Sequence, residues 1–196
     1  DLSELNEFMH VRDILSQVKN ELNTVASLGP IGNGSRSCQL KQTPRIYILA
    51  SVPYYDVGGG QRSAQLAKIF CQLGYRVHYF YAFDSSESVQ FSLELPTEQH
   101  ASIDCLSVEE MFCDADPESM LIIEAPCVKF LPYIRAAKQY GVPIVYEHID
   151  NWETSLGSLV YDPDTFQELL RSSNALVATS MELKKQLGKY TDSPVH

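Results

Sequence analysis

The chain has 196 residues, 44% of them hydrophobic, enough to bury one full α/β core, and no apolar stretch reaches membrane-spanning length. A net charge of -10 without clustered Lys and Arg argues against nucleic acid as a partner, because a phosphate backbone needs a basic surface, and a role at a membrane periphery would need a basic patch supplied elsewhere. Cys38, Cys71, Cys105, Cys113 and Cys127 form no C-x-x-C pair and no zinc spacing, so no metal site is evident, and their odd number fits a reducing compartment, with the cytoplasm as the expected location.

Phe8, Val11, Leu15, Val18, Leu22 and Val25 recur at alternating spacings of three and four, which predicts an amphipathic helix over 1–27. The heptad seam is short, so packing against the protein's own body or a missing half is expected over a dimeric coiled coil. Residues 28–43 gather Gly, Ser and Pro without periodicity and read as a linker to a globular domain over 44–196.

Ile46, Tyr47, Ile48, Leu49 and Ala50 run without alternation, the pattern of a strand covered on both faces. Leu66, Ile69, Phe70 and Leu73 follow at i, i+3, i+4 and i+7 with Gly74 as a C-terminal stop, and Arg76–Tyr81 is a second strand. Together they make one βαβ unit. Two further strands are predicted over 89–95 and 101–106, then a buried strand over 120–124. A helix over 131–140 has Pro132 in its first turn and Gly141 after its end. Strand 143–148, helix 164–172, strand 175–179 and helix 181–187 complete the alternation. Alternating strands and helices select an α/β, doubly wound, mainly parallel Rossmann-like sheet with crossover helices on both faces. The chain opens without Met and stops at Ser193-Pro194-Val195-His196, where another strand starts, so a longer parent protein is expected.

In such a sheet the ligand lies beyond the carboxyl ends of the strands. The first of these ends leads into Gly58-Gly59-Gly60, where missing side chains let the backbone approach a phosphate and the following helix N-terminus offers unpaired N–H groups. A bare turn is the plain alternative. Other strand ends carry Asp84, Glu124 and the run EHIDNW with Glu147, His148, Asp150 and Trp152. Acids, an imidazole and an indole suit sugar hydroxyls, although Trp152 could be a core anchor and loop acids are often merely solvated. Gly58-x-Gly60-x-x-Ser63 approaches the dinucleotide fingerprint, but Ser63 replaces its third glycine and the stretch 51–57, with Tyr54, is too long for the tight turn that the fingerprint needs.

The long first loop with its three glycines, LAKIFCQLGYRVHYF, VPIVYEHIDNW and NALVATSMELKKQL stand in an order that resembles the N-terminal domain of retaining family 4 glycosyltransferases, enzymes of the two-domain GT-B fold. The resemblance spans roughly 44–196. It implies that Gly58, Gly59 and Gly60 approach the donor diphosphate and that Asp150 is a site acid. The family histidine stands immediately before that acid; here Ile149 takes the place and His148 lies one residue earlier, which turns a side chain to the opposite face of an extended segment. His148 with Asp150 is the catalytic pair on this reading, Arg62 joins the diphosphate loop as its cation, and Glu124, Trp152 and Tyr54 fall on the acceptor side. The implied enzyme carries a sugar from a nucleotide-sugar donor to a hydroxyl acceptor, such as a glycan or lipid-linked sugar, with retention. It uses no cofactor and needs a C-terminal domain that this sequence does not contain. The alternatives are a non-catalytic Rossmann-like ligand-binding module and an NAD-dependent oxidoreductase domain.

Overall fold

The computed structural model describes residues 44–56, 61–85, 97–112, 115, 118–154 and 157–196. The helix and linker expected over 1–43, the strand expected over 89–95 and the loop glycines Gly58, Gly59 and Gly60 lie outside them.

Among the described residues there are six strands: β1 (Arg45–Ala50), β2 (Arg76–Tyr81), β3 (Gln99–Ser102), β4 (Met120–Ile123), β5 (Ile144–His148) and β6 (Ala175–Ala178). They build one sheet in the order β3-β2-β1-β4-β5-β6. Every neighbouring pair is parallel. Between them run α1 (Gln61–Gln72), α2 (Val108–Phe112), α3 (Leu131–Tyr140) and α4 (Pro163–Ser172), and α5 (Met181–Leu187) follows β6. This is the doubly wound order of nucleotide-binding sheets, whose topological switch point falls between β1 and β4.

Pleating divides the buried side chains between two faces. Tyr47, Leu49, Phe80, Leu121, Ile123, Ile144, Tyr146 and Leu176 share a core with Phe112, Ile134, Ala137, Phe166 and Leu169 from α2, α3 and α4. The alternate residues, including Ile46, Ile48, Val77 and Tyr79, are equally buried on the face where α1 packs against β1 and β2. Each fully buried Leu, Ile or Phe contributes about 1.5–3 kcal/mol.

Local chemistry fixes the element ends. Gly74 (φ 83) and Gly141 (φ 70) adopt the left-handed conformation after α1 and α3, and the expected stops are in place. Asp162 Oδ2 accepts from Thr165 N at 2.8 Å to cap α4, one residue earlier than its predicted start. Ser180 Oγ accepts from Leu183 N at 3.2 Å to cap α5. At the C-terminus Val195 forms a single parallel bridge to Leu176, consistent with the strand start expected there.

One prediction requires correction. The strand expected over 101–106 is β3, Gln99–Ser102, followed by a 3-10 turn at Ile103–Cys105. Ser102 Oγ accepts from Asp104 N, and the Tyr133 hydroxyl, lying against the carbonyls of Ile103 (3.1 Å) and Leu106 (2.7 Å), holds the turned chain. Local and tertiary hydrogen bonds thus end the strand although Ile103 and Leu106 continue the apolar pattern.

No described helix is long and apolar enough to cross a membrane.

Candidate active site

At the switch point β1 ends in Ala50 and β4 in Ile123, and Glu124 follows with 1% of its surface exposed. Its carboxylate receives two hydrogen bonds, from Ser51 N at 2.5 Å and from the Ser63 hydroxyl. Ser51 lies at the exit of β1 and Ser63 in the first turn of α1, so one buried side chain ties together the two ends of the long first loop. Ser63 was the position where the dinucleotide fingerprint failed. Its hydroxyl serves Glu124 in a 1% exposed position, a role glycine could not fill. Burial pushes the Glu124 carboxyl up to about 7, against the pull of the serine hydrogen bonds toward the ionised form.

On the next strand Glu147 faces the same side and is 4% exposed. Its Oε1 accepts from Arg62 Nε at 2.9 Å and from Arg62 Nη2 at 2.7 Å. Its Oε2 is buried without a hydrogen-bond partner among the described residues. Burial raises the Glu147 carboxyl, and Arg62 offsets part of that rise. The Arg62 side chain remains 37% exposed. Glu124, Glu147, Arg62, Ser51 and Ser63 therefore form one polar group on the α1 side of the carboxyl rim. Sequence reasoning found Glu124, Glu147 and Arg62 separately but did not pair them with one another or with Ser51 and Ser63. The available signal was an acid closing each of two apolar strands, MLIIE and PIVYE, since both acids must be neutralised by whatever covers that face.

His148 lies on the opposite face. It is 2% exposed, its ring packs near Tyr146 and Phe166, and its Nδ1 stands 2.9 Å from the Tyr146 hydroxyl. Burial lowers its pKa, so it favours the neutral imidazole. Asp150, just past the strand end, is exposed, and its Oδ1 accepts from Asn151 N at 2.7 Å. The two residues of the expected catalytic pair thus occupy different environments, one packed and one open to solvent.

Trp152 is buried, as a core anchor would be. The segment around it is tied to the C-terminal end of the sheet: Gln186 Nε2 donates to Asn151 Oδ1 at 2.6 Å, Tyr190 OH donates to Glu153 Oε1 at 2.8 Å, and Thr179 N donates to His148 O at 3.3 Å. Two of the sequence stretches quoted for the resemblance are therefore hydrogen-bonded to each other. Tyr54 belongs to a separate aromatic group, with its ring 4.0 Å from His100, 5.8 Å from Tyr79 and 5.9 Å from Tyr55. Among the described residues, no group of three or more His, Cys, Asp and Glu is arranged to hold a metal ion.

No protein-family model matches the sequence, and no curated protein matches it. Solved structures of an alpha-glucosyltransferase are similar to it, and one shares its fold. One, in complex with UDP and a 13-mer DNA containing a HMU base, superposes with a TM-score of 0.53 at 17% identity over 79% of this chain and 42% of that one. Two others, with UDP and a mismatched 13-mer DNA and with UDP alone, give TM-scores of 0.47 and 0.48 at 18% identity, over 70% and 78% of this chain and 37% and 40% of those. The chain spans about two fifths of the length of these enzymes. The likeness is one of fold, shared with part of a glycosyltransferase, and it singles out no family. The expectation that nucleic acid is not a partner rests on charge alone.

Proposed function

We propose that this chain is the acceptor-side half of a retaining glycosyltransferase that moves a sugar from a nucleotide-sugar to a hydroxyl acceptor. The observation carrying the proposal is the polar group at the switch point of a sheet whose fold is shared with an alpha-glucosyltransferase solved with UDP, where Arg62 stands at the start of α1. Arg62 and Gly58, Gly59 and Gly60 meet the donor diphosphate. Asp150, exposed beyond β5, accepts hydrogen bonds from sugar hydroxyls, and Tyr54 faces the acceptor, while the buried Trp152 acts only by anchoring the Asp150 segment. His148, held by Tyr146, supports the Asp150 segment and reaches the sugar only through a rearrangement at the strand end. Glu124 shapes the first loop from beneath, because its carboxylate is already engaged by Ser51 and Ser63.

Most cations for the departing diphosphate come from a second domain on this reading. Calorimetric titration of the chain with a panel of nucleotide-sugars and with NAD tests it. Weak binding of nucleotide-sugars, with dissociation constants well above about 1 μM, and no comparable binding of NAD is the expected result. Tight NAD binding would favour the oxidoreductase alternative.

A further inference from the structure

The two buried acids at the switch point raise an electrostatic question, since a diphosphate should avoid carboxylates. The geometry lessens that conflict. Glu124 turns its oxygens to Ser51 and Ser63, and Glu147 turns Oε1 to two nitrogens of Arg62. Both acids are thus engaged by donors of their own beneath the rim. Glu147 instead does something specific to Arg62: it grips one edge of the guanidinium from a 4% exposed position on a strand, while the arginine side chain stays 37% exposed. A long, rotamer-rich side chain is thereby held in one orientation with donors to spare, and it need not be ordered when an anion arrives.

We infer that Glu147 is a positioning residue that presets Arg62 as the anion subsite of this half. The inference rests on the proposed glycosyl transfer for the identity of the anion, a diphosphate, but not for the existence of the subsite. Arg62 supplies the contact and Glu147 acts only through it. The arrangement differs from simple charge attraction in one sign. If Glu147 were merely a nearby negative charge, removing it would strengthen anion binding. As a positioning residue, its removal weakens binding although the local charge becomes more favourable.

Inorganic pyrophosphate is the probe, titrated into the 196-residue chain by calorimetry, with the Arg62 Nε–Hε resonance followed by NMR. In the wild type that resonance is protected from exchange and shifts saturably with pyrophosphate. Arg62→Ala is expected to weaken binding by about tenfold or more. Glu147→Met keeps the volume, removes the acceptor and the charge, and is expected to weaken binding by about three- to tenfold and to broaden the Arg62 signal, with the melting temperature no lower than in the wild type. Glu147→Gln, which can still accept from Arg62, falls between. Arg62→Lys, which keeps the charge without the planar fork, is expected to bind more weakly than wild type even if Glu147→Met fails to fold. Wild-type or tighter binding by Glu147→Met or Arg62→Lys overturns the inference, as does an Arg62 resonance that pyrophosphate leaves unmoved. If pyrophosphate binds as described but no nucleotide-sugar is ever turned over, the subsite stands and the glycosyl-transfer reading falls.

Discussion

Glu124 shows how one buried side chain links stability to the site. An ordinary glutamate ionises near 4.5, whereas burial lifts Glu124 to about 7 in the folded protein. Between these values the native state binds more protons than the unfolded chain, so the contribution is complete below about 4.5 and is lost as pH rises through about 7. The shift corresponds to about 3 kcal/mol. Glu147, also raised by burial, acts in the same direction. Glu124→Gln keeps an acceptor for Ser51 N and cannot titrate, so its melting temperature should fall less steeply between pH 5 and 8 than that of the wild type. Thermal melts of both proteins across that range check this, and parallel slopes would show that Glu124 does not carry the linkage.

Among the elements, those with strong periodicity were legible from sequence alone. β1, β4, β5, α3 and α5 lie within a residue of their predicted spans because apolar patterning, Pro132, Gly141 and Gly188 mark both faces and ends. The helix α2 was not anticipated, although Ser107 and Glu110 form a reciprocal capping box, with Glu110 N donating to Ser107 Oγ at 3.2 Å and Ser107 N donating to Glu110 Oε2 at 3.1 Å. Five residues are too few for periodicity to announce, and only the cap carried the signal. For the site, the strand ends placed Glu124, Glu147 and Asp150 at the carboxyl rim correctly. Which acid meets which partner depends on long-range pairs such as Arg62 with Glu147, and no local pattern encodes these. Gly157 is a further case hidden from sequence: a Cβ there would lie 2.3 Å from Trp152 O and 2.7 Å from Trp152 C. The conflict is with backbone, so Gly157→Ala must displace the Trp152 segment and should destabilise the protein by about 1–3 kcal/mol. Gly188→Ala is the control, because its new Cβ meets nothing nearer than Lys184 O at 3.4 Å. Melting temperatures of the two variants should separate by several degrees, and equal values would mean that the Trp152 turn yields freely.

For the whole molecule, the parallel sheet and its switch point supply the frame for the proposal that this chain is one half of a glycosyltransferase. On that proposal the chain supplies Arg62, held by Glu147, and the exposed Asp150, while its net charge of -10 calls for most of the diphosphate's neutralisation to come from outside this chain. The most direct measurement follows the anomeric configuration of product by NMR when the longest protein containing this chain is given nucleotide-sugars and hydroxyl acceptors. The account predicts release of a nucleoside diphosphate together with a glycoside that keeps the donor's anomeric configuration. A product of inverted configuration would contradict retention, and absence of transfer from every donor, together with hydride transfer to or from NAD, would contradict the assignment as a glycosyltransferase.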